Sequence, residues 1–192
     1  SCNENLTIEP NTVVQSMQLL PPLYNTIRYN LKTPIKAQQI YTFSLPAVAD
    51  CMKNRTGIIK GTLGKSSIPN FQDVIINEIL FNPTIGGYDY VEIYNRSSKI
   101  IDLKDILLCN RNSLGKLTSQ ISFSGYSYPL FPNQYIVVTE NGDWLQHNFT
   151  LEDRIKIIER TPLPTFPNDK GDIVLTDIQG NLIDELVYDE KW

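Results

Sequence analysis

The stretch Asp73–Asn95, DVIINEILFNPTIGGYDYVEIYN, limits the fold of this chain more than any other. Its first half, Val74 to Phe81, is a β-branched and aliphatic run of strand length. It stops at Asn82-Pro83, where proline removes a ladder donor. A buried strand is expected there. Beyond the Gly86-Gly87 turn, Val91 and Ile93 fall on one face and Tyr90, Glu92 and Tyr94 on the other, the period-two pattern of a half-exposed strand. Together the two halves read as a hairpin with a longer loop.

The rest of the chain supports the same class. Its 192 residues suit one domain, or one domain with a fragment of another. Ile, Leu, Val, Tyr and Phe together far outnumber Ala, which favours strands, and an all-β fold is expected. Residues 1–72 carry seven Lys and Arg against three Asp and Glu, whereas residues 73–192 carry ten against 18. An acidic main domain repels phosphate backbones, so nonspecific nucleic-acid binding is disfavoured there, while a small basic patch remains on the first part.

No run approaches the ~18 to 20 apolar residues that cross a bilayer, and no signal-peptide pattern precedes Ser1. A soluble chain is expected. The abrupt start, and the end just after a strand pattern, point to a piece of a longer protein. Cys2, Cys51 and Cys109 follow no C-x-x-C spacing, so neither a disulfide framework nor a zinc ribbon is signalled. A Cys2–Cys51 bridge in an exported protein, with Cys109 buried as a small hydrophobe, is one reading; three free thiols is the other.

Residues 1–70 read as a small β region plus linker. Strands are expected at Thr12 to Leu20, Thr26 to Leu31 and Gln39 to Leu45, with breaks at Pro21-Pro22 and Pro34. From Gly57 to Phe71 turn formers cluster and the apolar pattern lapses, the mark of a linker. The main domain, 71–192, continues past the opening hairpin with alternating apolar residues over Ile100 to Asn110, then a turn around Asn112 to Gly115. Strands follow at Ile121 to Phe123, and at Gln134 to Thr139, which should sit centrally. NGDWLQHNF, Asn141 to Phe149, is the best helix, capped by Asn141 or Asp143, with Leu145 and Phe149 on one face. Arg154 to Ile158 is a further strand, TPLPTFPNDKG a proline-rich connection, and DIVLTD-IQGN-LIDELVY a closing hairpin. Roughly seven to nine strands at this spacing make a two-sheet sandwich.

The opening and closing motifs together resemble the lamin-tail domain family, in its bacterial, Bacteroidetes-like form. The opening match is carried by Ile76-Asn77-Glu78-Ile79, Asn82-Pro83, Asp89-Tyr90-Val91-Glu92-Ile93, Asn95 and Asp102-Leu103. The closing match is carried by Gly171-Asp172, Val174, Leu175, Asp177, Gly180, Ile183 and Asp184. The resemblance implies an Ig-like β-sandwich with a short helix, serving binding or scaffolding with no common chemistry. Many members carry a tryptophan a few residues after the "DL" turn, where this chain has Ile106-Leu107-Leu108. Tyr41-Thr42, Val48, Asp50 and Asn54 resemble the ending of bacterial Ig-like domains, without its glycine, where Met52 and Lys53 stand; the resemblance implies that the first region is part of such a domain.

Few residues could carry chemistry. His147 is the only histidine, which leaves a single base for any Ser-His-Asp or Cys-His arrangement, and it falls on a surface helix. No nucleophile elbow, P-loop or dinucleotide fingerprint occurs. Glu78 and Glu92 stand inside the strands of the opening hairpin and could share a sheet face. Two such carboxylates can act as a glycosidase acid and base, hold Ca²⁺ with Asn77 or Asp89, or accept hydrogen bonds from backbone and tyrosine hydroxyls. The candidate metal set is therefore Glu78, Glu92 and Asp89, and no other cofactor is expected.

Tyr90 and Tyr94, on one strand face, are the candidate binding surface for a protein or glycan, with cross-strand packing as the plainer account. Sequons at Asn5, Asn54, Asn95 and Asn148 would matter only in a secreted eukaryotic protein. The expected function is a noncatalytic module of an exported bacterial protein, periplasmic, surface-attached or extracellular, in adhesion, targeting or scaffolding. The alternative that the resemblance supplies is a nucleic-acid or substrate-binding accessory domain of a secreted hydrolase such as a nuclease.

Overall fold

The computed structural model describes residues 6–10, 12–49, 52–151 and 155–191, and the chain divides into two compact units, Ser1–Lys65 and Ser66–Trp192. The first unit holds β1 (Thr7–Glu9), β2 (Val14–Leu19), β3 (Ile27–Leu31), β4 (Tyr41–Leu45) and β5 (Ile59–Leu63). They form a three-stranded sheet, β1-β4-β5, and a β2-β3 ribbon. The buried hydrophobic residues described in this unit are Ile8 and Tyr41. Cys2, Cys51 and Asp50, on which the bridge and part of the Ig-like ending depend, lie outside the described residues.

The stretch expected to be linker contains β5, which pairs with β4 from Tyr41↔Leu63 to Leu45↔Ile59. Gly61 misleads because it serves a close approach and not a turn. It sits opposite Phe43, whose ring lies 2.7 Å from where a Cβ would be.

The second unit begins with β6 (Val74–Leu80), β7 (Tyr90–Asn95) and β8 (Ile101–Asp102), then a 3₁₀ turn at Leu103–Asp105. After it come β9 (Ile106–Arg111), β10 (Leu117–Ser122), β11 (Pro129–Leu130) and β12 (Tyr135–Thr139). Helix α1 (Gly142–Asn148) leads to β13 (Lys156–Glu159), and β14 (Lys170–Asp177) and β15 (Leu182–Asp189) close the chain. One sheet runs β13-β12-β7-β6, the other β10-β9-β14-β15, with β8 and β11 paired beside them.

Alternation in each strand turns one face of each sheet inward, and the two inner faces share one core. Val91, Ile93, Ile136 and Val138 from the first sheet join Ile106, Leu108, Ile173 and Leu175 from the second. The unit is thus an all-β, Ig-like sandwich with one short helix. Ile106 and Leu108 are fully buried in that core, so aliphatic packing fills the place where a tryptophan is common in the family resemblance.

Two aspartates fasten the turns that the motifs mark. Asp102 accepts from Ser127 Oγ at 2.5 Å, Tyr128 N at 2.9 Å and Lys104 N at 3.2 Å. Burial pushes its carboxyl pKa up, and those three bonds more than reverse the effect, leaving it below the ordinary value. Asp177 does the same for the β14–β15 turn, accepting from Gln179 N, Asn181 N and Asn181 Nδ2, with Gly180 at φ +85°.

Two expectations about the opening hairpin are corrected. β6 is not a buried strand throughout; it is the edge of its sheet, and Asn77 and Glu78 are exposed around a register shift between Ile76 and Glu78. β7 is not half exposed, since Tyr90 through Ile93 are all buried. The cause is helix α1. β12 and β13 are parallel, so the chain must cross over between them, and the crossover carries α1 onto the outer face of the sheet. There Leu145 packs on Tyr90 and Val137, flanked by Leu80, Trp144 and Ile157.

Candidate functional site

The outer face of the β13-β12-β7-β6 sheet is where the sequence-predicted residues meet. Period-two alternation on β7 sends Tyr90, Glu92 and Tyr94 outward together, and the register sets Thr139, Val137 and Tyr135 of β12 beside them. The helix then divides this face. Over one half, Asn141 caps α1 by accepting from Trp144 N at 2.9 Å, and Leu145 and Trp144 cover Tyr90. Gly87 admits that cover, because a Cβ there would lie 2.7 Å from the Trp144 ring. Phe149 closes edge-on against both Tyr90 and Trp144.

Tyr90, expected on an open face, is therefore packed under the helix. Its hydroxyl donates to Glu78. Burial first, then that bond and the charges of Glu78 and Glu92, raise its phenol pKa well above the ordinary value.

The other half of the face stays partly open. Tyr94 and Tyr135, cross-strand neighbours, stack with ring centroids 4.4 Å apart and planes 23° from parallel. The Tyr94 hydroxyl donates to Asn133 Oδ1 at 2.9 Å, and Ile75 of β6 lies opposite Tyr94 on the far side. Tyr135 and Asn133 were missed by the sequence reading. The signal was present in the alternation of QYIVVT, but only the β7–β12 register shows that Tyr135 meets Tyr94.

Glu78 and Glu92 are direct cross-strand partners, as the hairpin reading supposed. Each has a protein donor: Tyr90 Oη on Glu78, and Asn77 Nδ2 on Glu92 at 2.7 Å. Asp89 has a different neighbour. Its carboxyl pKa is raised to about 6 by burial and then by the charge of Glu140. Among the described residues no group of three or more His, Cys, Asp and Glu side chains is placed to hold a metal ion. His147 is exposed on α1, with Nδ1 2.6 Å from the Asp143 carbonyl oxygen. Asn95 of the third sequon is fully buried, and its Nδ2 donates to Lys99 O and Leu130 O, so it is unavailable for modification.

The model of the Lamin Tail Domain family matches residues 68–190. The chain belongs to the lamin tail domain family. That family is a β-rich protein-interaction module, and the match spans both sheets and the helix of the sandwich. No curated protein matches the chain. No helix among the described residues is long and apolar enough to cross a membrane.

Proposed function

We propose that this lamin tail domain is a noncatalytic binding module of an exported or cell-surface bacterial protein. Its contact face for a protein partner is the open half of the β6-β7-β12 surface. The observation that carries the reading is the stacked, partly exposed Tyr94–Tyr135 pair with Asn133 and Ile75 beside it. Tyrosines at a rigid sheet surface supply contact area with little ordering cost, each having one polar end for a hydrogen bond.

The test compares proteins from envelope and culture-supernatant fractions retained by the immobilised chain and by its Tyr94→Ala/Tyr135→Ala variant. Specific retention by the parent chain that disappears in the variant, with circular dichroism unchanged, supports the reading. Retention that survives in the variant contradicts it.

A further inference from the structure

A concave site lies at one end of the other sheet, away from the tyrosine pair in sequence and in strand order. It is a cleft of about 430 Å³ between the β9–β10 hairpin, the loop before β14, the start of β14 and the end of β15. Asn110, Ser119, Thr165, Lys170 and Asp172 supply its polar groups, and Val187 with Pro167 its apolar wall. The walls are held in place from behind. Asn110 Nδ2 donates to Thr165 O at 2.6 Å, and Tyr188 Oη to Pro167 O at 3.0 Å. Gly171 leaves room for Tyr188, since a Cβ there would meet the phenol oxygen at 2.5 Å.

The polar groups of this cleft are not used up by the fold. Arg111 is consumed, with Nη2 on Glu185 at 3.1 Å and Nη1 on Gly115 O at 2.9 Å. The Lys170 ammonium and the Asp172 carboxylate, in contrast, form no hydrogen bond or ion pair among the described residues. Asn110 Oδ1 is shielded from solvent and accepts no hydrogen bond, an unmet acceptor that a donor brought to it would satisfy. Asn110 itself is partly exposed on the cleft wall.

These groups select a chemistry. Lys170 donates, Asp172 and Asn110 Oδ1 accept, and the hydroxyls of Ser119 and Thr165 do either; with Arg111 paired to Glu185, the Lys170 and Asp172 charges balance. A ligand must then both give and take hydrogen bonds without net charge, and present some C–H surface to Val187 and Pro167. A carboxylate has no donor for Asn110, and a carboxylate or phosphate alike brings negative charge against Asp172. On the β10 side an extended peptide would find no regular strand edge, since that strand has a register shift between Thr118 and Ile121 and Ser119 at φ +52°.

We propose that this cleft binds a neutral saccharide, one or two rings of a glycan, through Asn110, Asp172, Lys170 and Ser119. The proposal rests on the reading of the domain as a noncatalytic binding module, but not on the tyrosine pair.

The experiment titrates the ¹⁵N-labelled full chain with maltose, cellobiose and N,N′-diacetylchitobiose in turn, each to about 10 mM, enough to load a millimolar site. At least one sugar is expected to shift the Asn110 side-chain amide and the Ser119, Gly171 and Asp172 backbone amides. Asp172→Ala and Lys170→Ala should each weaken that binding by about tenfold, with resonances outside the cleft unmoved. Tyr94→Ala should leave it intact. Unchanged cleft resonances with all three sugars overturn the proposal, as do cleft shifts that survive both substitutions. Shifts confined to Tyr94 and Tyr135 also overturn it, and leave the tyrosine surface as the binding face.

Discussion

The two halves of one sheet face differ in a way that separates stability from function. Tyr90 and Tyr94 leave β7 in the same direction, four residues apart on the same strand, yet Tyr90 lies under Leu145 and Trp144 while Tyr94 stays partly open beside Tyr135. The strand pattern treats them alike. What separates them is the seven-residue helix that the β12–β13 crossover lays on one end of the face. The covered half contributes packing, and the partly open half is the face proposed above to meet a partner.

Substitutions on the covered half should cost most. Tyr90→Ala removes a buried ring and leaves Glu78 without its phenol donor, and is expected to lower unfolding stability by about 4 kcal/mol in urea denaturation. Leu145→Ala, which opens the helix side of the same cluster, should lower it by about 3 kcal/mol. A loss under about 1 kcal/mol in both would mean that the helix does not cover the sheet.

Asp89 gives the comparison a pH signature. Its folded pKa, about 6, lies above the ordinary 3.8, so its contribution to stability is full below about pH 4 and is lost as pH rises through 6. Asp89→Asn escapes that loss. After discounting for solvent screening it should be about 1 kcal/mol more stable than the parent at pH 7.5, with the gain vanishing near pH 4. Melting curves at the two pH values check this, and a gain independent of pH would remove Asp89 from the account.

On the open half the effects invert. Tyr94→Ala should change stability by less than about 1 kcal/mol, since the stacked pair is partly exposed, while removing partner retention. The smallest expected effect is that of Ca²⁺. Among the described residues no group of three or more His, Cys, Asp and Glu side chains is placed to hold a metal ion, so adding Ca²⁺ should leave the melting temperature unmoved. A rise that disappears in Glu92→Gln would instead make the paired carboxylates a cation site.

Much of the sandwich was legible because its signals are local. Asn82-Pro83 and Gly86-Gly87 marked the first hairpin, Gly180-Asn181 the last, and Asn141 the start of the helix. What escaped depended on contacts distant in sequence. Nothing in Val74 to Leu80 says that β6 lies at an edge, and nothing in Tyr90 says that a helix some fifty residues later will bury it. Gly61 reads as a turn former until Phe43 is placed opposite it. The cleft was illegible for the same reason: Asn110, Ser119, Thr165 and Asp172 come from four segments, and although Asp172 belongs to the closing motif, nothing in that motif says that the other three meet it.

Mapping tyrosine nitration by mass spectrometry tests the division of the face most directly. Nitration needs an accessible ring and its phenolate, so the account predicts modification at Tyr94 and Tyr135 while Tyr90, covered and with a raised phenol pKa, is spared. Tyr90 reacting as fast as Tyr94 in the folded chain would contradict it.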